Sequence, residues 1–193
     1  MKILVNSLTI FRILAAFALI PLIAYRQFGP MFVLFALACL SDFLDGWLAR
    51  KYKVTTKLGG VMDHMADKLL VTISAILLAM FLQLWVVFIP AILIICRNLY
   101  VSGMREYLGT QKVEMPVPKA RFSSGKIATA AQMISIGVML LAIFSLYRYP
   151  QLASKLYWFL IVGIVGLWVS LAASLISAAQ YTKTFLEKMK KLK

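Results

Sequence analysis

The chain has 193 residues, 62% of them hydrophobic, and a mean hydropathy of +0.87. Soluble domains are about 45–50% apolar, so this composition excludes a water-soluble globule. Its 21 Lys and Arg against 7 Asp and Glu give a net charge of +14, but the basic residues cluster between long apolar runs and form no continuous face for a nucleic acid, so nucleic-acid binding is excluded as well.

The apolar runs predict an all-α fold, six transmembrane helices near residues 7–26, 30–51, 58–82, 84–108, 124–147 and 155–181, in one domain covering 1–193. The first run follows Lys2 and resembles a signal peptide. Arg12 interrupts it, however, and no small-residue cleavage site follows, so it reads as the first span. The uncharged stretch 69–96 is 28 residues long, where about 20 cross a hydrocarbon core of roughly 30 Å. Gln83 and Pro90 divide it into the end of the third helix and most of the fourth. Uncharged stretches of 21 residues (127–147) and 27 residues (156–182) mark the fifth and sixth. Cys39 and Cys96 fall in separate apolar helices and read as packing residues.

The connections alternate in charge. Arg50, Lys51, Lys53 and Lys57 surround the second loop. Arg105, Lys112, Lys119, Arg121 and Lys126 surround the fourth, which holds Pro116 and Pro118 and reads as an irregular basic loop. Lys183 through Lys193 follow the last helix, whereas the other connections carry only Arg26, Arg148 and Lys155. This asymmetry places both termini in the cytoplasm and the protein in the inner membrane. The basic tail is expected to lie against anionic headgroups, at about 1 kcal/mol per Lys.

Four of the seven acids fall within 26 residues: Asp42, Asp45, Asp63 and Asp67. Acids in and beside membrane helices are costly unless partnered, and mark functional sites. Asp42 and Asp45 are three apart and Asp63 and Asp67 four apart, so each pair shares a helix face. The short loop between the two helices predicts antiparallel neighbours and brings the pairs together at the cytoplasmic end. Lys68 and Arg50 offset part of the charge. An all-oxygen set without Cys or His suits a hard ion such as Mg²⁺ or Mn²⁺. Gly46 and Ala49 extend the first acidic face, and Gly59 and Gly60 precede the second, leaving room for close helix approach or a ligand. The plainer alternative is a set of interhelical salt bridges to Arg50, Lys57 and Lys68. His64, the only histidine, is expected to point about 100° from Asp63 and to serve packing or headgroup contact.

Asp42-x-x-Asp45-Gly46-x-x-Ala49-Arg50 followed by Gly59-x-x-x-Asp63-x-x-x-Asp67 resembles the signature of the CDP-alcohol phosphatidyltransferase family, eight fixed residues over 26 positions. Chain length and six helices are similar to that family too. The segments at Asn6–Arg12, Ala66–Leu69, Val101–Glu106 and Val117–Lys126 most resemble members that use sn-glycerol 3-phosphate. His64 departs from the proline that commonly follows the third Asp in them.

The resemblance implies an enzyme of phospholipid biosynthesis that transfers the phosphatidyl group of CDP-diacylglycerol to sn-glycerol 3-phosphate. It implies that Asp42, Asp45, Asp63 and Asp67 hold Mg²⁺ or Mn²⁺ and that Asp67 is the general base. It further implies CDP-diacylglycerol contacts from Gly46, Arg50, Thr56 and Gly59, with Asn6, Thr9 and Arg12 near the same headgroup, and a homodimer. A phosphorylated acceptor needs cations: Arg97 and Arg105, eight apart, share roughly one helix face, and Lys119, Arg121 and Lys126 can close over it. Rival readings are another acceptor (inositol phosphate, serine or phosphatidylglycerol), a divalent-cation transporter, or a non-catalytic lipid-binding protein. A transporter would be expected to show repeats or broken helices at the midplane.

Overall fold

The structure, a computed structural model, describes residues 2–52, 57–110 and 124–192, with side chains described for 7–45, 60, 62–110, 125 and 127–190. The described residues are helical apart from short turns: α1 Lys2–Ala24, α2 Phe28–Tyr52, α3 Lys57–Leu82, α4 Trp85–Thr110, α5 Ser124–Arg148 and α6 Ala153–Leu192. All six are long and apolar enough to cross a membrane, so the chain is an integral membrane protein. In lipid every backbone N–H and C=O needs a partner within the chain, and a helix supplies it locally.

The turns between helices are tight. After α1, Gln27 N–H reaches Leu22 O at 2.8 Å and Arg26 N–H reaches Ile23 O at 3.0 Å, with Arg26 at φ 56°. This pair of hydrogen bonds closes the helix end over a left-handed residue. Gln83, at φ 52°, makes the corresponding turn between α3 and α4. Inside α4, Pro90 has no N–H for the Val86 carbonyl four residues back. Trp168 of α6 donates its indole N–H to that oxygen at 2.9 Å instead.

Helix contacts close a ring in the order α1, α2, α5, α6, α4, α3, with α3 also touching α5 across the inside. The expectation that α2 and α3 pack directly as neighbours is corrected here. They barely touch each other, and each packs along α1. The acidic pairs converge because α1 lies between the two helices and supplies what they both bind.

The core holds Leu19, Met31, Phe35, Leu70, Leu78, Ile136, Met139 and Leu167, while Leu14, Phe17, Met80, Trp158, Val162 and Val169 point outward. That outward apolar belt suits lipid. Small residues set the closest approach, as membrane helices without a hydrophobic drive between them require. A Cβ added at Gly163 of α6 would strike the Met139 side chain and lie 3.1 Å from the Ser135 carbonyl oxygen of α5.

The sixth helix is longer than its apolar run predicts. At 40 residues and 1.5 Å per residue it is about 60 Å long, and the tail expected to lie on headgroups continues it to Leu192. No Gly or Pro follows Gly166 to stop it, and Ala178, Tyr181 and Phe185 pack against Val101 and Met104 of α4.

Gly163→Ala should therefore lower the unfolding stability of detergent-solubilised protein by roughly 1–3 kcal/mol, as overpacking does. Gly103→Ala, where an added Cβ meets nothing within 4 Å, should not lower it and should raise it by up to about 1 kcal/mol, as Ala is the better helix former. Thermal melts of both variants compare the two.

Candidate active site

One end of the ring gathers the start of α1, the end of α2, the start of α3, the end of α4, the start of α5 and the later part of α6. At its centre lies Arg12 of α1, fully buried. Its Nη2 donates to Asp45 Oδ2 at 2.6 Å, and its Nη1 to Asp67 Oδ1 at 2.6 Å and Asp63 Oδ1 at 2.8 Å. Asp42 Oδ1 is 3.2 Å from the same Nη1. All four aspartates converge, as their spacing predicts, but on a guanidinium that the sequence reading assigned to a lipid headgroup.

The two sides of that guanidinium differ. Asp45 is buried and has Nη2 to itself, whereas Asp42, Asp63 and Asp67 crowd Nη1 and keep 32%, 41% and 19% of their side-chain exposure. Nη1 carries two hydrogens for three carboxylates. One cation cannot neutralise four anions, and Arg12 Nε is buried with no partner among the described residues. Charge, rather than a completed hydrogen-bond set, holds this side chain.

Asp42, Asp63 and Asp67 each present an oxygen within 4.8 Å of the others, so this trio could hold a metal ion. The donor set fits a hard divalent cation, and the excess negative charge favours one. Asp45, expected from sequence as a fourth ligand, is not in the trio; its Oδ2 accepts from Arg12 Nη2, and its other oxygen is not used there.

Beside the trio opens a cavity of about 460 Å³. Asp42 and Asp67 give its lining an acidic part, and Lys68, Arg97 and Arg105 a basic one. Thus the structure brings the two α4 arginines to one space with the aspartates. Lys68 Nζ donates to Ser102 Oγ, which in turn donates to Asn98 O at 2.8 Å. Arg97 donates from Nε to Ser174 O at 3.0 Å and from Nη1 to Asn98 Oδ1 at 3.1 Å. Arg105 Nη1 lies 3.1 Å from His64 Nε2, and Nη2 donates to Tyr181 OH at 2.8 Å. Arginine only donates, so His64 Nε2 is the acceptor there. Among the described residues each arginine engages two of its five N–H groups.

His64, for which packing or headgroup contact is expected, lines the cavity with Lys68 and meets Arg105 there. The physical reason lies in α3, which stands at a corner of the ring. Its Asp63/Asp67 face meets α1, and the face one residue on, His64/Lys68, meets α4. The repeated four-residue spacing was a legible signal for both faces. Tyr181 and Asn98 carry no comparable signal, because each is one ordinary residue in an apolar helix.

Thr9 is buried in α1. The side chains of Asn6, Gly46, Arg50, Gly59 and Lys126, and the whole of Thr56, Lys119 and Arg121, lie outside the described residues.

Comparison with known proteins adds a family. The model of the CDP-alcohol phosphatidyltransferase family matches residues 2–171. A protein of Rickettsia typhi named CDP-diacylglycerol–glycerol-3-phosphate 3-phosphatidyltransferase is 35% identical over 188 residues, covering 95% of this chain and 97% of its own. Proteins of the same name from Rickettsia bellii, 34% identical with 92% of each chain covered, and Rickettsia prowazekii, 35% identical with 94% of each covered, are similar too.

Replacing Arg12 by Gln should leave four carboxylates without their internal cation. In the presence of a chelator this should cost about 3 kcal/mol, the lower end for breaking a buried pair, because Asp42 and Asp63 retain contact with solvent. Millimolar divalent ion should recover more stability in Arg12→Gln than in the unmodified chain. Melting curves with and without chelator read both effects.

Proposed function

The chain belongs to the CDP-alcohol phosphatidyltransferase family, and from that premise we infer that it transfers the phosphatidyl group of CDP-diacylglycerol to sn-glycerol 3-phosphate, giving phosphatidylglycerol phosphate and CMP. One observation carries the choice of acceptor: the cavity beside the aspartates has a wall of Lys68, Arg97 and Arg105. Such a wall suits an alcohol that brings its own phosphate dianion, and arginine binds phosphate through paired N–H groups. An uncharged headgroup alcohol would leave those cations without an anion. The names of the relatives point the same way.

In this reading the phosphate of the acceptor rests on Lys68, Arg97 and Arg105, and its free hydroxyl turns to the acidic wall. Asp67, which belongs to both the trio and the cavity, takes the hydroxyl proton onto its carboxylate as the oxygen attacks the lipid-bearing phosphorus. The bond from that phosphorus to the bridging oxygen breaks, and CMP leaves with the electron pair. A divalent ion, Mg²⁺ or Mn²⁺, held by Asp42, Asp63 and Asp67 with Asp45 as a further ligand, would offset the negative charge of the diphosphate as that bond breaks. Arg12 holds the carboxylates in register from the opposite side. Gly46, Arg50, Thr56 and Gly59 bind the CDP portion, with Asn6 and Thr9 near it, and Lys119, Arg121 and Lys126 close over the acceptor. The site and both termini face the cytoplasm, on the strength of the basic loops, and two chains associate as a homodimer.

Purified protein given CDP-diacylglycerol and a divalent ion should release CMP with glycerol 3-phosphate and little with serine. Asp67→Asn should abolish turnover while the protein still folds; a rate near that of the unmodified chain would falsify its role as base. Arg105→Ala should raise the KM for glycerol 3-phosphate by about tenfold or more, the loss of one charged hydrogen-bonding group, and leave the KM for the lipid in place. An equal effect on both substrates removes Arg105 from the acceptor pocket.

A further inference from the structure

Both arginines of the cavity are held by the same helix. Arg97 Nε donates to the Ser174 carbonyl at 3.0 Å, and Arg105 Nη2 donates to the Tyr181 hydroxyl at 2.8 Å. The Tyr181 ring also lies against the Arg105 guanidinium, with Cζ 5.0 Å from the ring centroid. Tyr181 is itself buried, in a cluster with Val101, Met104 and Ala178. On α6 the two anchors are seven residues apart, close to two turns, and on α4 the arginines are eight apart. The helices run parallel, so these spacings match. Two further contacts hold the register: Tyr100 OH lies 3.2 Å from Thr182 Oγ1, and the Tyr107 and Phe185 rings meet edge to face with centroids 5.9 Å apart.

Both anchors lie past residue 171, where the family match ends. The signature aspartates and the helices that carry them therefore do not include the parts that aim the basic wall. An arginine side chain loses much rotamer freedom when it binds a ligand, and a side chain already fixed has less to lose. Arg105 is fixed on two sides, by His64 at Nη1 and by Tyr181 at Nη2.

We propose that Tyr181 is a positioning residue for the phosphorylated acceptor, its hydroxyl and ring holding the Arg105 guanidinium in the orientation that receives the acceptor phosphate. The proposal rests on the acceptor pocket described above. Its alternative is that Tyr181 only packs α6 against α4. The two differ at a single atom, since Tyr181→Phe keeps the ring and the packing but removes the oxygen that accepts from Nη2.

The test measures CMP release by detergent-solubilised full-length protein at varied glycerol 3-phosphate, for the unmodified chain, Tyr181→Phe, Arg105→Ala and the double variant. Tyr181→Phe should raise the KM for glycerol 3-phosphate roughly three- to tenfold, the range for an ordinary hydrogen bond, since Tyr181 reaches the phosphate only through Arg105. Its kcat and its KM for CDP-diacylglycerol should stay within about twofold, as for a group that acts on acceptor binding alone. In the Arg105→Ala background the same substitution should add nothing, because no guanidinium remains to be placed. An unchanged KM in Tyr181→Phe overturns the proposal, and so does a rise that persists without Arg105. If Tyr181→Phe lowers the melting temperature, the double variant decides: a KM rise that vanishes without Arg105 supports positioning, and one that persists overturns it. No release with glycerol 3-phosphate by the unmodified chain, or no KM change in Arg105→Ala, overturns the acceptor reading and this proposal with it. The other adverse outcomes overturn this proposal alone.

Discussion

Four carboxylates meet one buried guanidinium, and much of the architecture is arranged around that imbalance. Charge within an apolar bundle is tolerated only when opposite charge is close, and Arg12 reaches Asp42, Asp45, Asp63 and Asp67 within 3.2 Å. Because the carboxylates come from α2 and α3 and the cation from α1, the electrostatics oblige α1 to lie between the other two. The bundle order follows from this: with α1 joining α2 and α3, the remaining three helices complete the ring through α5, α6 and α4. What the guanidinium leaves unneutralised is concentrated on the trio that opens to the cavity, where a divalent ion and a diphosphate have use for it.

The cavity is a second electrostatic arrangement laid against the first. Its basic residues stand on a different face of α3 and on α4, so the acidic and basic walls remain separate, and neither simply neutralises the other. Separation is preserved by local anchoring. Lys68 is engaged by Ser102, Arg97 by Ser174 and Asn98, and Arg105 by His64 and Tyr181. None of these partners is acidic, so the positive charge is oriented without being cancelled.

Much of this was legible in the sequence because it is local. The six helices follow from the length of uncharged runs, and the acidic faces from three- and four-residue spacing. What was not legible depends on helices distant in the chain. Arg12 lies 55 positions from Asp67, and no periodicity relates an arginine in the first helix to acids in the second and third. The neighbour relation of α2 and α3 was misjudged for the same reason, since a short loop sets direction but does not prevent a third helix from lying between. The angle of His64 from Asp63 turns it from the acidic face of α3, and only the position of α4 brings that second face to the cavity. Tyr181 acts through a partner 76 positions away and has no local signature. The apolar run ends before α6 does, because packing of Phe185 against α4 carries the helix further.

The order of the charged residues along the chain also bears on how such a bundle is made. Arg12 precedes all of its counter-charges, and the first of them along the chain, Asp42, comes 30 residues later. During biogenesis α1 must therefore carry a lone cation, at about 2.5–3.5 kcal/mol if it sits at mid-membrane, until the next two helices arrive. That burden is smallest while Arg12 stays near the interface, and it disappears once the acidic helices close around it. The residue that steadies the finished site thus makes α1 a poor anchor by itself, and ties its settled depth in the bilayer to the arrival of α2 and α3.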